Sequence, residues 1–209
     1  MIIYYMSEAK GYLSFHILHI MRLIVGITGA SGAIYAHALV KNLKNMGHEI
    51  HLIISENGRK IVDMEIVGGT DEIIKYAHKS FSNDDLAAAP SSGTSAYDAM
   101  IIVPCSMSTL CKISSGIGDT LICRAAAVML KEHKKLIIVP RETPLSSIHI
   151  ECMLRLSQSG AIILPAMPAF YMKPKSIDDL VNYIVAKILD AIGISNDLSV
   201  RWDTMKDFS

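Results

Sequence analysis

Leu23-Ile24-Val25-Gly26-Ile27-Thr28-Gly29-Ala30-Ser31-Gly32 is the stretch on which the fold turns. Five apolar or small residues run without a polar break and end in a small, hydroxyl- and glycine-bearing turn. A continuous apolar run of that length suits a strand buried on both faces, not a half-solvated one. A helical pattern follows, with apolar Ile34, Ala38, Leu39 and Leu43, and stops at Gly47. Next comes a β-rich run from Glu49 to Ile54, ending at Ser55, and then a helix over about Asn57–Val67. Strand, helix, strand and helix at this spacing predict a parallel sheet covered by helices.

The same alternation continues to the C-terminus. The segment Gly68–Pro90 is more polar and predicts a short helix over Asp71–His78 and a brief strand near Asp85–Ala88. Pro90-Ser91-Ser92-Gly93-Thr94-Ser95 is a loop. Strands are expected at Ala99–Val103, Lys135–Val139 and Ala161–Leu164. Helices are expected after Pro104–Thr109, over Asp119–Glu132, over Ser146–Ser159 and over Ile177–Ile192. There is no internal repeat and no linker, so one doubly wound α/β domain spans 21–209.

Composition narrows the function classes. The 209 residues carry 20 Lys+Arg against 20 Asp+Glu, a formal net charge of zero, which argues against nucleic-acid binding through bulk charge. An apolar fraction of 51% excludes a disordered chain and requires extensive burial, in a two-sided sheet or against other subunits. The four cysteines form no CxxC pair and no zinc-type cluster with histidine, so they read as reduced thiols of a cytoplasmic protein, and no metal is expected. Residues 1–20 are broken by Glu8 and Lys10, too short for a membrane span and without a basic signal-peptide start. They read as an extension outside the fold, disordered or upstream of the true start; a helix on a lipid surface is the lesser alternative.

In an open parallel sheet, ligands bind beyond the carboxyl ends of the strands. The small polar segments here fall at those ends: Thr28–Gly32, Ser55–Asn57, Cys105–Thr109 and Arg141–Thr143. The first is neither a G-x-G-x-x-G fingerprint nor a P-loop. Its backbone N–H groups and the Ser31 hydroxyl suit an anion at a helix start, although a tight turn with Ser31 as the cap explains it equally well. Ser106 and Thr109 open a second hydroxyl-rich helix start, which favours a mononucleotide with one phosphate. Arg141 is bracketed by Pro140 and Pro144 and suits a phosphate or a flavin carbonyl. Glu142 can exchange a proton. Glu65 reads as a solvated helix residue, Tyr171 as a core aromatic and Trp202 as an aromatic docked beyond the last helix.

Six stretches in this order carry a resemblance. They are Gly26–Tyr35, Pro104-Cys105-Ser106-(x)2-Thr109-Leu110, Arg124-Ala125-Ala126, Leu130-Lys131-Glu132, Pro140–Leu145 and Pro168-Ala169-Phe170-Tyr171. With Trp202 behind the final helix, the chain from Met21 to Trp202 resembles the UbiX-type flavin prenyltransferases, a family formerly described as decarboxylases. The resemblance implies a Rossmann, flavodoxin-like three-layer sandwich. It implies an enzyme that binds FMN and joins a dimethylallyl group from dimethylallyl phosphate to flavin N5 and C6. The prenylated FMN would pass to a UbiD-type decarboxylase. It places FMN against Gly29, Ala30, Ser31, Ser55, Ser106, Met107, Ser108, Thr109 and Arg141. It places the prenyl phosphate among Arg124, Lys131, Glu142, Tyr171 and Lys187, with Ser91, Ser92 and Gly93 bordering the site and Glu65 and Trp202 at further site positions. Glu65, Lys131, Glu142, Tyr171 and Trp202 are the catalytic set it implies. It also implies a homododecamer built from trimers, with sites shared between subunits. Lys187 stands where the family commonly has Arg, a point charge in place of a bidentate fork.

Two other readings compete. FMN-dependent cysteine decarboxylases of the same superfamily carry an Asn in a Pro-Ala-Ser-Ala-Asn-Thr stretch, whereas Pro90–Ser95 here has none. A non-enzymatic flavin carrier needs no Arg/Lys/Glu/Tyr set beyond the flavin phosphate.

Overall fold

A computed structural model describes residues 2–9 and 12–200, with side chains from residue 20 onward. Six strands form one sheet: β3 (Arg22–Ile27), β4 (Glu49–Ile54), β5 (Lys79–Ser82), β6 (Ala99–Cys105), β7 (Lys135–Pro140) and β8 (Ile162–Ile163). All pair in parallel, in the order β5-β4-β3-β6-β7-β8. Residues 2–9 (β1) and 12–19 (β2) pair antiparallel only with each other, Ile2 opposite His19 and Ala9 opposite Tyr12. That segment is thus a hairpin apart from the main sheet, not a surface helix.

Among the described residues, α-helices flank the strands: α1 (Ala33–Asn45), α2 (Glu56–Glu65), α3 (Gly69–Ile74), α4 (Met107–Ser114), α5 (Leu121–Lys131), α6 (Ser147–Gln158) and, after the last strand, α7 (Ile177–Ile192). Side chains of β3 alternate between two cores. Leu23, Val25 and Ile27 join Leu39, Leu43, Ile184 and Leu189 of α1 and α7 on one face. Ile24 joins Met100, Ile102, Leu110 and Ile122, toward α4 and α5, on the other. Both faces are covered, so the strands read as unbroken apolar runs. Each fully buried Leu, Ile or Val contributes about 1.5–3 kcal/mol relative to exposure.

Two expectations need correction. The strand expected near Asp85–Ala88 is absent; those residues are turns, and the strand lies earlier, at Lys79–Ser82. As an edge strand it has one buried side chain, Phe81, so no hydrophobic pattern announces it. The helix expected from Asp119 begins instead at Leu121, because the Thr120 side chain accepts from the Cys123 N–H and caps it. The strand order reverses between β3 and β6, which puts the crevice of the sheet at the loops that follow those two strands.

Candidate active site

Thr28 locks the crevice. It directly follows β3, is 1% exposed, and its hydroxyl donates to the Pro104 carbonyl at 3.0 Å while accepting from the Ser106 N–H at 2.7 Å. The Thr28 N–H also donates to Pro104 O at 3.2 Å. One buried hydroxyl thus ties the turn after β3 to the turn after β6. A cavity of about 580 Å³ opens there, walled by Gly29, Ser55, Asn57, Asn83, Ser106, Ser108, Thr109, Lys112, Thr120 and Ile122. Gly29 has no room for a side chain, since a Cβ would stand 2.7 Å from the Asn57 Cβ.

The hydroxyls divide their duties. The Ser55 Oγ accepts from Gly58 N–H at 3.0 Å and caps α2. Ser106 caps α4, accepting from Thr109 N–H at 3.3 Å and donating to Thr109 Oγ1 at 3.1 Å. Both therefore help to build their helix starts as well as lining the cavity.

The start of α1 departs from expectation. Ser31 is not its cap. Gly32 holds that position at φ 115°, in the left-handed region that suits glycine. The anion at this helix start is the protein's own: Glu65 Oε2 accepts from Gly32 N–H at 2.9 Å and from Ala33 N–H at 2.8 Å. Glu65 is therefore not merely solvated. It supplies the negative charge that the α1 dipole favours, and it occupies two amides that the sequence left for a ligand. On the other side of the turn, Arg141 Nε donates to the Ser31 carbonyl at 3.0 Å. Tyr35 closes this corner: its ring would lie 3.0 Å from a Cβ on Gly32, and burial raises its phenol pKa against the opposing charge of Arg141.

A second cavity, of about 280 Å³, lies beyond Arg141. Its walls are Pro140, Arg141, Glu142, Thr143, Leu145, Met153, Pro165, Ala166 and Met167. Glu142 Oε1 accepts from Thr143 N–H at 3.0 Å, which fixes one carboxylate oxygen.

The remaining expected site residues lie elsewhere in the chain. Arg124 and Lys131 stand two turns apart on the exposed face of α5 and line neither cavity. Lys131 pairs with Glu132, and a Cβ on Gly93 would meet Lys131 Nζ at 2.7 Å, so the Ser91–Gly93 loop packs on the end of α5. Tyr171 meets the ring of Tyr183 on α7 edge-on at 6.5 Å, and Lys187 follows one turn later on that helix. Trp202 lies outside the described residues. A single chain thus brings Gly29, Ser55, Ser106, Ser108 and Thr109 of the expected flavin set to the larger cavity and Arg141 with Glu142 to the second, while Ala30, Ser31 and Met107 line neither. It leaves Arg124 and Lys131 on a separate face. Thr28, Tyr35, Asn83 and Lys112 gained no role from sequence. A polar residue directly after the apolar run Leu23–Ile27 was the available signal for Thr28.

Comparisons with known proteins agree with this geometry. A family model described as Flavoprotein matches residues 16–189. The flavin prenyltransferase UbiX of Thermoplasma acidophilum is 50% identical over 182 residues, covering 87% of this chain and 100% of that protein. The crystal structure of AnUbiX (PadA1) in complex with FMN and dimethylallyl pyrophosphate superposes with a TM-score of 0.88 at 39% identity, covering 90% of this chain and 100% of that one. A dodecameric FMN-dependent UbiX-like decarboxylase from Escherichia coli O157:H7 superposes with a TM-score of 0.85 at 44% identity, covering 87% and 99%. With half of its residues shared across the whole length of a curated relative, and with a flavodoxin-like parallel sheet to match, this chain belongs to the UbiX-type flavin prenyltransferases.

Proposed function

We propose that the larger cavity holds FMN and that the chain transfers a dimethylallyl group from dimethylallyl phosphate to flavin N5 and C6. The observation that carries this reading is the meeting of hydroxyl-rich turns after β3, β4 and β6 with Arg141 and Glu142 after β7, at the crevice where strand order reverses. The cavity fits the group. Its size suits a ligand of this class, and its wall offers hydroxyls and helix-start amides. Gly29, Ala30, Ser31, Ser55, Ser106, Met107, Ser108, Thr109 and Arg141 would hold it. Bound there, reduced FMN supplies the carbon- and nitrogen-based nucleophile.

The protein's part is to release phosphate and guard an allylic cation. Arg124, Lys131 and Lys187 would take up the negative charge that grows on the leaving phosphate. Glu142, held at one oxygen by Thr143, would give that phosphate a proton. The Tyr171 ring, with Trp202, would stabilise the cation through its face. Ser91, Ser92 and Gly93 would border the donor. Glu65 would act through the Gly32–Ala33 amides that it grips. Water must be kept out or the cation is lost as an alcohol.

Because Arg124 and Lys131 line neither cavity of their own chain, the reading places them at a neighbouring subunit's site, in a dodecamer built from trimers. Ile150 and Leu154, one turn apart on α6, stand 54% and 55% exposed, an apolar face of the kind that subunits cover. The product would pass to a UbiD-type decarboxylase. Four free cysteines suit a reducing, cytoplasmic setting, and no helix among the described residues is long and apolar enough to cross a membrane.

Ligand-dependent melting tests the reading. Dimethylallyl phosphate should raise the melting temperature when FMN is present; ligand at a hundred times its Kd adds about 2.7 kcal/mol. A carrier or a cysteine decarboxylase would show no shift.

A further inference from the structure

Asn83 follows β5 and lines the larger cavity. Its backbone carbonyl accepts from the Leu121 N–H at 2.7 Å, and its side-chain Oδ1 accepts from the Ile122 N–H at 3.1 Å. A backbone N–H can only donate. The amide atom that faces Ile122 must therefore be the oxygen, and the orientation of the Asn83 side chain is settled. The Nδ2 group has no hydrogen-bond partner among the described residues and is not a buried unsatisfied atom, so it is left to the open side, where the cavity lies. Asp84, next in the chain, lines the same cavity and makes this wall unfavourable for a phosphate dianion.

We propose that Asn83 is a flavin-binding residue, its Nδ2 donating to a neutral acceptor in the part of FMN that riboflavin shares, a ring carbonyl or a ribityl hydroxyl. The proposal rests on the reading of the larger cavity as the flavin site. With its oxygen turned to the Ile122 N–H, the side chain presents its NH2 donor to the cavity, so it selects an acceptor on the ligand.

The test is flavin titration of three proteins: wild type, N83L and N83D. Asp keeps the acceptor for the Ile122 N–H and replaces the donor by a carboxylate oxygen. Flavin-free N83D should therefore melt as wild type does, yet bind FMN and riboflavin about tenfold more weakly, each by the same factor, as expected when one ligand hydrogen bond of about 1.4 kcal/mol is lost. N83L should lose affinity similarly. Wild-type affinity in N83D would reduce Asn83 to a cap for α5 and overturn the proposal. So would weakening of FMN alone, which would put the contact at the phosphate. Failure of the wild type to bind either flavin would overturn the reading of the cavity itself.

Discussion

At Thr28 a single hydroxyl holds two turns of the crevice together, and its removal should be felt in stability and in ligand affinity alike. Thr28→Val keeps the shape but leaves the Ser106 N–H without its acceptor. The expected cost is about 1–3 kcal/mol in urea unfolding, with weaker FMN binding; unchanged unfolding would show that the turns do not depend on this link. Glu65 makes the complementary case. Glu65→Ala removes the acceptor for two α1 amides and should destabilise by about 1 kcal/mol, while Glu65→Gln, which keeps an oxygen acceptor, should lose less. Equal stability of the two variants would count against the cap. The sequence around Gly29–Gly32 spelled out a turn and an anion-seeking helix start. It could not spell out the anion, because Glu65 arrives from 33 positions away along the chain. Long-range partners of that sort are set by packing, which no local pattern records.

Among the elements, the helices and the interior strands were legible because they repeat a period, 3.6 for α7 and an unbroken apolar run for β3 and β6. β5 was not, since an edge strand with one buried residue carries no such pattern. Its companion at the other end of β4 is also instructive. His51 is buried on β4, with Nε2 2.9 Å from Glu49 Oε1 and Nδ1 2.7 Å from the Tyr97 hydroxyl. Arg22 keeps Glu49 ionised and its pKa low, so Glu49 accepts and His51 Nε2 carries the proton. The Tyr97 phenol then donates to Nδ1, with its pKa pushed to about 12 by burial. Burial lowers the His51 pKa from its ordinary 6.5, against the pull of Glu49. Below that value the unfolded chain takes a proton that the folded chain resists. The stability due to a neutral His51 is therefore complete above about pH 6.5 and is lost as pH falls toward the folded pKa. His51→Gln should flatten the decline in stability as pH falls below about 6.5 relative to wild type. An identical slope in the variant would mean that His51 does not titrate in this way.

For the molecule as a whole, composition pointed to burial beyond one sheet, and the face of α6 with Ile150 and Leu154 leaves apolar surface exposed. Charge at that face should separate subunits. Ile150→Glu with Leu154→Glu should shift the protein to smaller species in light scattering and impair prenyl transfer by depriving each site of a neighbour's residues. Retention of the wild-type mass would place the interface elsewhere. The resemblance implied sites shared between subunits, but not which residues would lie apart: the exposed position of Arg124 and Lys131 on α5 follows from packing, which motif order does not record. Whether those pieces perform one reaction is settled most directly by the flavin itself. Purified protein is incubated anaerobically with reduced FMN and dimethylallyl monophosphate, or with the diphosphate, and the extracted flavin is weighed. A flavin heavier by one dimethylallyl unit is the expected result. Unchanged FMN with both donors, in protein shown to bind flavin, would contradict the prenyl-transfer account.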